Sequence, residues 1–285
     1  MSSSVRRVAA CVEGADTSSF NVPIRRRRGR KAWLPLFPFA SVVFVLIIWQ
    51  VVGGHMNPYL LSTPTAVVRA FATLIGNGQL LSTFGTSMED LWAGYALAVV
   101  VGIGVGILMG RSPVFEQIFN PYINFFQATP LIALVPLIVI WFGVGYEARL
   151  ATTFTLAVWS IIINTYVGVK STPAALIDVA RVYQFGRRRT VTEISLPNAV
   201  PHIFAGLRIG LGKALIGMMI AEMEISLAGL GGLVTNYGNA FKTAYLLAGV
   251  FTASIVGVIT AVILDVARRV FFPWVTATTA EGVKL

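Results

Sequence analysis

Cysteine and histidine are nearly missing from this sequence. One cysteine, Cys11, and two histidines stand among 285 residues, which excludes an internal disulfide framework and a cysteine metal cluster. His55 and His202 fall on opposite membrane faces in the topology that the charges favour, so we expect no metal site. The patterns GxxxxGK[ST], HExxH and GxSxG are absent too. The chain is therefore not expected to bind ATP through a phosphate loop or to be an enzyme.

Charged residues are also few: they make up 12% of the chain, whereas 56% is hydrophobic and the mean hydropathy is +0.76. A soluble domain of this size is far less apolar. The sequence predicts an all-α integral membrane protein with about six transmembrane helices in one domain, residues 32–272. Its apolar runs, each near the roughly 20 residues that cross hydrocarbon, are 33–52, 91–109, 119–142, 150–169, 201–220 and 244–266.

Basic residues outnumber acidic ones, and the net charge is +10. They flank the apolar runs instead of lining one groove, so they indicate topology and not nucleic-acid binding. With both termini in the cytoplasm, 17 Lys and Arg lie inside and 3 outside, in agreement with the positive-inside rule. Residues 1–31 are then a disordered basic tail, whose RRRRGRK segment could bind anionic lipid or act only as a solvated stop. Residues 273–285 are a second cytoplasmic tail.

Glycine and proline are concentrated in two of the runs. Small residues let neighbouring membrane helices approach closely, and the second run contains Gly94, Gly102, Gly104, Gly106 and Gly110. Prolines kink membrane helices where the freed backbone is buried in protein or faces water, and the third run contains Pro121, Pro130 and Pro136. We expect the second run to pack tightly and the third to be broken.

A polar, arginine-bearing insert, residues 173–197, lies between the fourth and fifth runs. Its first residue is a proline, which suits the first position of a helix, and this helix is expected to end near Tyr183. Gly186 is expected to supply a turn. A second short helix at 187–194 should stop before Pro197, because the residue before a proline avoids helical angles. The insert therefore predicts a helix-turn-helix hairpin on the cytoplasmic side.

The first helix of the hairpin has an apolar stripe. Asp178 and Arg181 stand three apart beside it and can form an ion pair. Such a stripe on a water-facing loop suits docking into a groove of another subunit. A loop helix that packs on its own bundle would show the same pattern, so both interpretations stay open. The stripe residues, at spacings of three and four, are Leu176, Val179, Ala180 and Tyr183.

The same insert resembles the EAA loop of the inner-membrane permease subunits of bacterial ABC importers, whose usual form is E-A-A-x3-G-x9-I-x-L-P. Asp178-Val179-Ala180 and Ile194-x-Leu196-Pro197 match this form without a gap. Asp178 stands at the usual glutamate, and Gln184 stands at the usual glycine. In that family the loop forms coupling helices that fit a cleft in the ATPase subunit. The resemblance implies this role for Asp178, Val179, Ala180, Arg181, Tyr183, Gly186, Ile194, Leu196 and Pro197.

A second stretch, TPLIALVPL at 129–137 followed by WFGxG at 141–145, resembles the nitrate, sulfonate, taurine and bicarbonate branch of these permeases. The resemblance covers roughly residues 85–270 and implies the type I ABC importer permease fold in the bacterial inner membrane. Such a chain passes a small organic or inorganic anion from an extracytoplasmic binding protein to the cytoplasm. Its implied partners are two ATP-binding subunits, which hold the ATP–Mg, and a second permease copy in a homodimer. The permease itself needs no cofactor.

Polar residues inside the runs are candidates for the translocation pathway, because they are costly at membrane depth. Arg208 and Glu222 share one face of the fifth run, although they could simply mark its two ends. The uncharged candidates could equally join helices to each other. The alternative function is an ion-coupled secondary transporter, which usually has an inverted repeat, and no repeat is visible here. The pathway candidates are Asn124, Gln127, Thr129, Asn164, Arg208, Met219 and Glu222.

Overall fold

The computed structural model describes residues 36–272, which contain helices and no strand. The two predicted tails lie outside the described residues. Within the described residues, 36–48 and 49–272 belong to two separate compact units. A single 3₁₀ turn, Leu131–Leu134, joins α4 to α5. The helices are α1 (Leu36–His55), α2 (Pro64–Gly76), α3 (Gln79–Arg111), α4 (Pro113–Ala128), α5 (Val135–Phe142), α6 (Tyr146–Lys170), α7 (Ala174–Val182), α8 (Arg187–Ser226), α9 (Gly229–Asn239) and α10 (Thr243–Phe271).

Four of the described helices, α3, α6, α8 and α10, are long and apolar enough to cross a membrane. Helices α4 and α5 meet the same criterion only as a pair, which is bent by 98°. Five of the six predicted runs fall on these elements. The first run falls on α1, where the apolar part at Ala40–His55 is shorter, so a sixth span stays a prediction.

The break between α4 and α5 occurs at one of the three prolines predicted to kink this run. Helix α4 ends at Ala128, and Thr129 is extended at φ −80° and ψ 133°, as expected for the residue before a proline. Pro121 lies inside α4. Pro136 lies in the first turn of α5, where backbone N–H groups have no intrahelical acceptor, so its missing N–H breaks no hydrogen bond of the helix. Of the three prolines, only Pro130 therefore lies between the two helices.

Helices α3, α6 and α8 pack against one another to form the main core. Gly102 and Gly106 of α3 are buried, and a Cβ on Gly106 would lie 2.5 Å from Cβ of Thr165 on α6. On α8, a Cβ on Gly210 would lie 2.7 Å from Cγ1 of Ile161. The prediction of tight packing by glycine is confirmed for this contact, but Gly104 faces open space.

A second core joins α2, α9 and α10 around Leu74, Leu230 and Ala248, all of which are fully buried. Helix α2 begins at Pro64, and the Thr63 hydroxyl caps it by accepting a hydrogen bond from the Ala66 N–H at 3.3 Å. The first half of α9 is also buried. The segment after α8 is thus part of the protein interior.

Candidate functional site

The hairpin is exposed at one end of the bundle, called here the hairpin end. Leu176 and Val179 of α7 are 42% and 50% exposed, and Tyr183, which directly follows α7, is 72% exposed, whereas Ala180 is buried. Apart from Ala180, the described chain therefore leaves much of the apolar stripe uncovered. Asp178 and Arg181 form the predicted ion pair at 2.9 Å, but both are exposed, so the pair stabilises α7 only slightly.

The turn that ends α7 is formed by Gln184 and not by Gly186, so that part of the prediction was wrong. Gln184 has φ 55° in the left-handed region, whereas Gly186 is extended at φ −64° and ψ 158°. The Phe185 N–H donates to the Ala180 carbonyl at 2.8 Å, and the Gln184 N–H donates to Arg181 at 2.9 Å. These two bonds form a Schellman motif, in which a glycine usually takes the left-handed position.

The second short helix of the hairpin does not stop before Pro197, which corrects the other half of the prediction. Helix α8 runs without a break from Arg187 to Ser226. A π turn at Val191–Ser195 precedes the proline, and the Leu196 N–H donates to the Val191 carbonyl five residues back. This wider turn accommodates the missing donor and the ring of proline. The hairpin is therefore the direct extension of a membrane span.

Basic residues surround a cavity of about 770 Å³ between the hairpin and the ends of α3 and α6. Arg111, Lys170, Arg181 and Arg187 line it. Lys170 donates to Glu116 of α4, and the Tyr166 hydroxyl donates to the same carboxylate at 2.6 Å. This contact ties α4 to α6 at the hairpin end.

The predicted pathway residues lie in several places. Gln127 and Thr129 line a cavity of about 240 Å³ beside the break at Pro130, while Asn124 is exposed one turn earlier on α4. Asn164 lies against Gly206 in the α6–α8 contact, where its Nδ2 donates to the Ser160 carbonyl at 2.8 Å. The structure thus brings together only two of the four candidates outside α8.

The three candidates on α8 do not line that cavity. Arg208 forms an ion pair at 3.4 Å with Asp265 of α10, a partner that the sequence did not indicate. Met219 is half-buried and packs on the core. Glu222 is fully buried and accepts a hydrogen bond from the Gly231 N–H at 2.8 Å.

A buried polar cluster at the opposite end of the bundle was missed by sequence reasoning. Arg149 of α6 donates to Asp90 of α3 at 2.6 Å and to Ser226 of α8 at 2.7 Å. The Asp90 side chain is only 1% exposed. The cluster therefore ties together α3, α6 and α8. No local spacing signals it, because Asp90 and Arg149 are 59 residues apart.

Comparisons with known proteins agree on one family. Residues 98–277 match the family described as the binding-protein-dependent transport system inner membrane component. The taurine transport system permease protein of Escherichia coli is 29% identical over 266 residues, covering 89% of this chain and 96% of that protein. The nitrate import permease protein of Leptolyngbya laminosa is 29% identical over 274 residues, covering 89% and 98%. A chain of the MetNI methionine ABC transporter in an inward-facing conformation superposes with a TM-score of 0.53 at 17% identity, covering 65% of this chain and 95% of that chain.

Proposed function

The chain belongs to the family of inner membrane components of binding-protein-dependent transport systems, and we propose that it passes a small anion into the cytoplasm. The solute is delivered by an extracytoplasmic binding protein. Two copies of the chain form the pore, and two separate ATP-binding subunits drive it. Two relatives are named for transport of taurine, a zwitterion with a sulfonate group, and of nitrate, and they support the chemical class: a sulfonate, nitrate or a similar organic or inorganic anion.

The exposed apolar stripe of α7 is the observation that carries this proposal. Leu176, Val179 and Tyr183 are uncovered in the isolated chain, and an amphipathic helix of this kind docks in a groove of another subunit. The basic residues around it favour the cytoplasmic side for the hairpin under the positive-inside rule. The groove then belongs to the cytoplasmic ATP-binding subunit.

Movement of the hairpin would reach the pore through α8. This helix begins at Arg187 in the hairpin and continues for 40 residues to Ser226, so its half of the hairpin is continuous with the span. When ATP binding brings the two ATP-binding subunits together, the two hairpins approach each other. The attached spans tilt, and the pore shifts between inward-open and outward-open states.

A substitution on the stripe tests the proposal. Val179→Asp puts a charge on the docking face, and we expect it to abolish co-purification of the ATP-binding subunit and ATP-dependent uptake in proteoliposomes. Val179→Ile keeps an apolar side chain of similar shape and should preserve both. Normal uptake by Val179→Asp would remove α7 from the mechanism. Uptake that survives ATP depletion and collapses with an ion gradient would favour a secondary transporter instead.

A further inference from the structure

We propose that Lys213 of α8 binds the anionic group of the solute inside the membrane, in the cavity beside the break at Pro130. The proposal rests on the proposed function, because it identifies the residue that recognises an anion on its way through the pore. The ligand class is a compact oxyanion, such as a sulfonate or nitrate.

Lys213 lies at membrane depth. It stands 13 residues before the end of α8 at Ser226, which is about 20 Å along a helix that rises 1.5 Å per residue. Its side chain is exposed in the single chain and has no ion-pair partner among residues 36–272. A charge of this kind is too costly to face lipid, so it faces water or an anion in the assembled pore.

The cavity around Lys213 offers hydrogen-bond donors and lacks negative charge. It has a volume of about 240 Å³ and includes Gln127, Thr129 and Trp159. The residues of the described chain that line it include no carboxylate. The Thr129 hydroxyl donates to the Phe125 carbonyl at 2.8 Å. The Thr129 hydroxyl is therefore already engaged, whereas the amide of Gln127 and the ammonium group of Lys213 can donate into the cavity.

Trp159 supplies an independent observation. Its indole ring stacks on Phe126 with centroids 4.2 Å apart, which fixes the ring at the cavity wall. The Nε1 atom is buried and has no hydrogen-bond partner among the described residues. An indole N–H can only donate, and leaving it unpaired in the interior is unfavourable. An unpaired donor beside the cavity favours an oxyanion over a cation, which Lys213 would also repel.

The test uses the complete transporter in proteoliposomes, with its binding protein and with nitrate, methanesulfonate and taurine as probes. Lys213→Met should lower uptake of the transported probe about tenfold or more, since it removes a charged hydrogen bond. ATP hydrolysis stimulated by the loaded binding protein should stay near the wild-type rate. Lys213→Arg should restore most of the uptake. Ile209→Met, on the same helix one turn away and outside the cavity lining, is the matched control and should transport normally.

The possible results distinguish the role of Lys213 from the proposed function of the whole transporter. Wild-type uptake by Lys213→Met would overturn the role of Lys213 while leaving the proposed function intact. An equal loss of uptake and of stimulated ATP hydrolysis, without recovery in Lys213→Arg, would indicate a structural role and also overturn it. If neither nitrate nor either sulfonate probe, loaded on the binding protein, stimulates ATP hydrolysis by the wild-type complex, the proposed import of such solutes is wrong, and the site is wrong with it.

Discussion

Alanine at Gly106 should weaken the contact between α3 and α6. A Cβ at this buried position would lie 2.5 Å from Cβ of Thr165 and 2.8 Å from the Ile162 carbonyl oxygen. Carbon atoms in contact prefer about 3.5–4.0 Å, so the two helices would have to separate by roughly 1 Å. Forcing extra volume into a well-packed core costs about 1–3 kcal/mol, and we expect the free energy of unfolding to fall by that amount.

Gly104 of the same helix is the matched control. It is exposed, and no atom lies within 4 Å of a Cβ built on it. Gly104→Ala makes the same chemical change two residues away, and it should raise the free energy of unfolding by about 0.5–1 kcal/mol, because alanine has the higher helix propensity. The difference between the two variants therefore isolates the cost of the close approach from the general effect of replacing glycine in a helix.

The free energies of unfolding of both variants can be measured in mixed micelles. The fraction of sodium dodecyl sulfate is raised, and tryptophan fluorescence reports the unfolding of the purified chain. The double variant Gly106→Ala/Thr165→Gly removes the side chain that the new methyl group meets, and it should be less destabilised than the two single changes together. If Gly106→Ala and Gly104→Ala unfold at the same detergent fraction, the close packing of α3 on α6 through this glycine is refuted.

Two further predictions concern the turn and the buried cluster. Gln184→Gly should stabilise the end of α7 by roughly 0.5–1 kcal/mol, because the left-handed conformation penalises a side chain, and slower hydrogen exchange at the Phe185 amide would report it. Gly186→Ala should have no such effect on that amide, since Gly186 is extended and a Cβ there meets nothing within 4 Å. Arg149→Met should destabilise the chain by about 3–5 kcal/mol by leaving the Asp90 carboxylate buried without its partner. Adding Asp90→Leu should recover much of that loss in the same detergent titration, and a fully additive double variant would contradict the pairing.

The apolar runs and the first hairpin helix could be predicted because each depends on neighbours in sequence. A run of about 20 apolar residues needs no tertiary contact to indicate a span, and five of the six runs fall on spans or on the bent pair. The stripe on α7 follows from three- and four-residue spacing in the same way. A break in the third run was predicted for a local reason too, since prolines kink helices, although of its three prolines only Pro130 lies between two helices.

Contacts between distant residues could not be predicted in this way. The pairing of Arg208 with Asp265, and of Arg149 with Asp90, joins residues more than 50 positions apart. Nothing in the local pattern distinguishes a carboxylate that meets an arginine from one at the membrane surface. Sequence reasoning therefore found the charges at membrane depth but not their partners. It likewise left Lys213 without a role, because the cavity forms only when α4 bends beside α6 and α8.

The two wrong predictions for the hairpin share a physical cause. Correcting them changes how the hairpin is connected to the membrane span. Both came from treating glycine and proline as local stops, although Gln184 takes the left-handed position and a π turn at Val191–Ser195 accommodates Pro197.

As a result, the hairpin has one free helix, α7, and its other half is the beginning of α8. A short helix on a loop could shift without moving a span, but a continuous helix transmits a displacement along its length. The same helix bears Lys213 and ends at the buried cluster at Ser226. A force applied at the hairpin therefore acts directly on the segment that carries the proposed anion site.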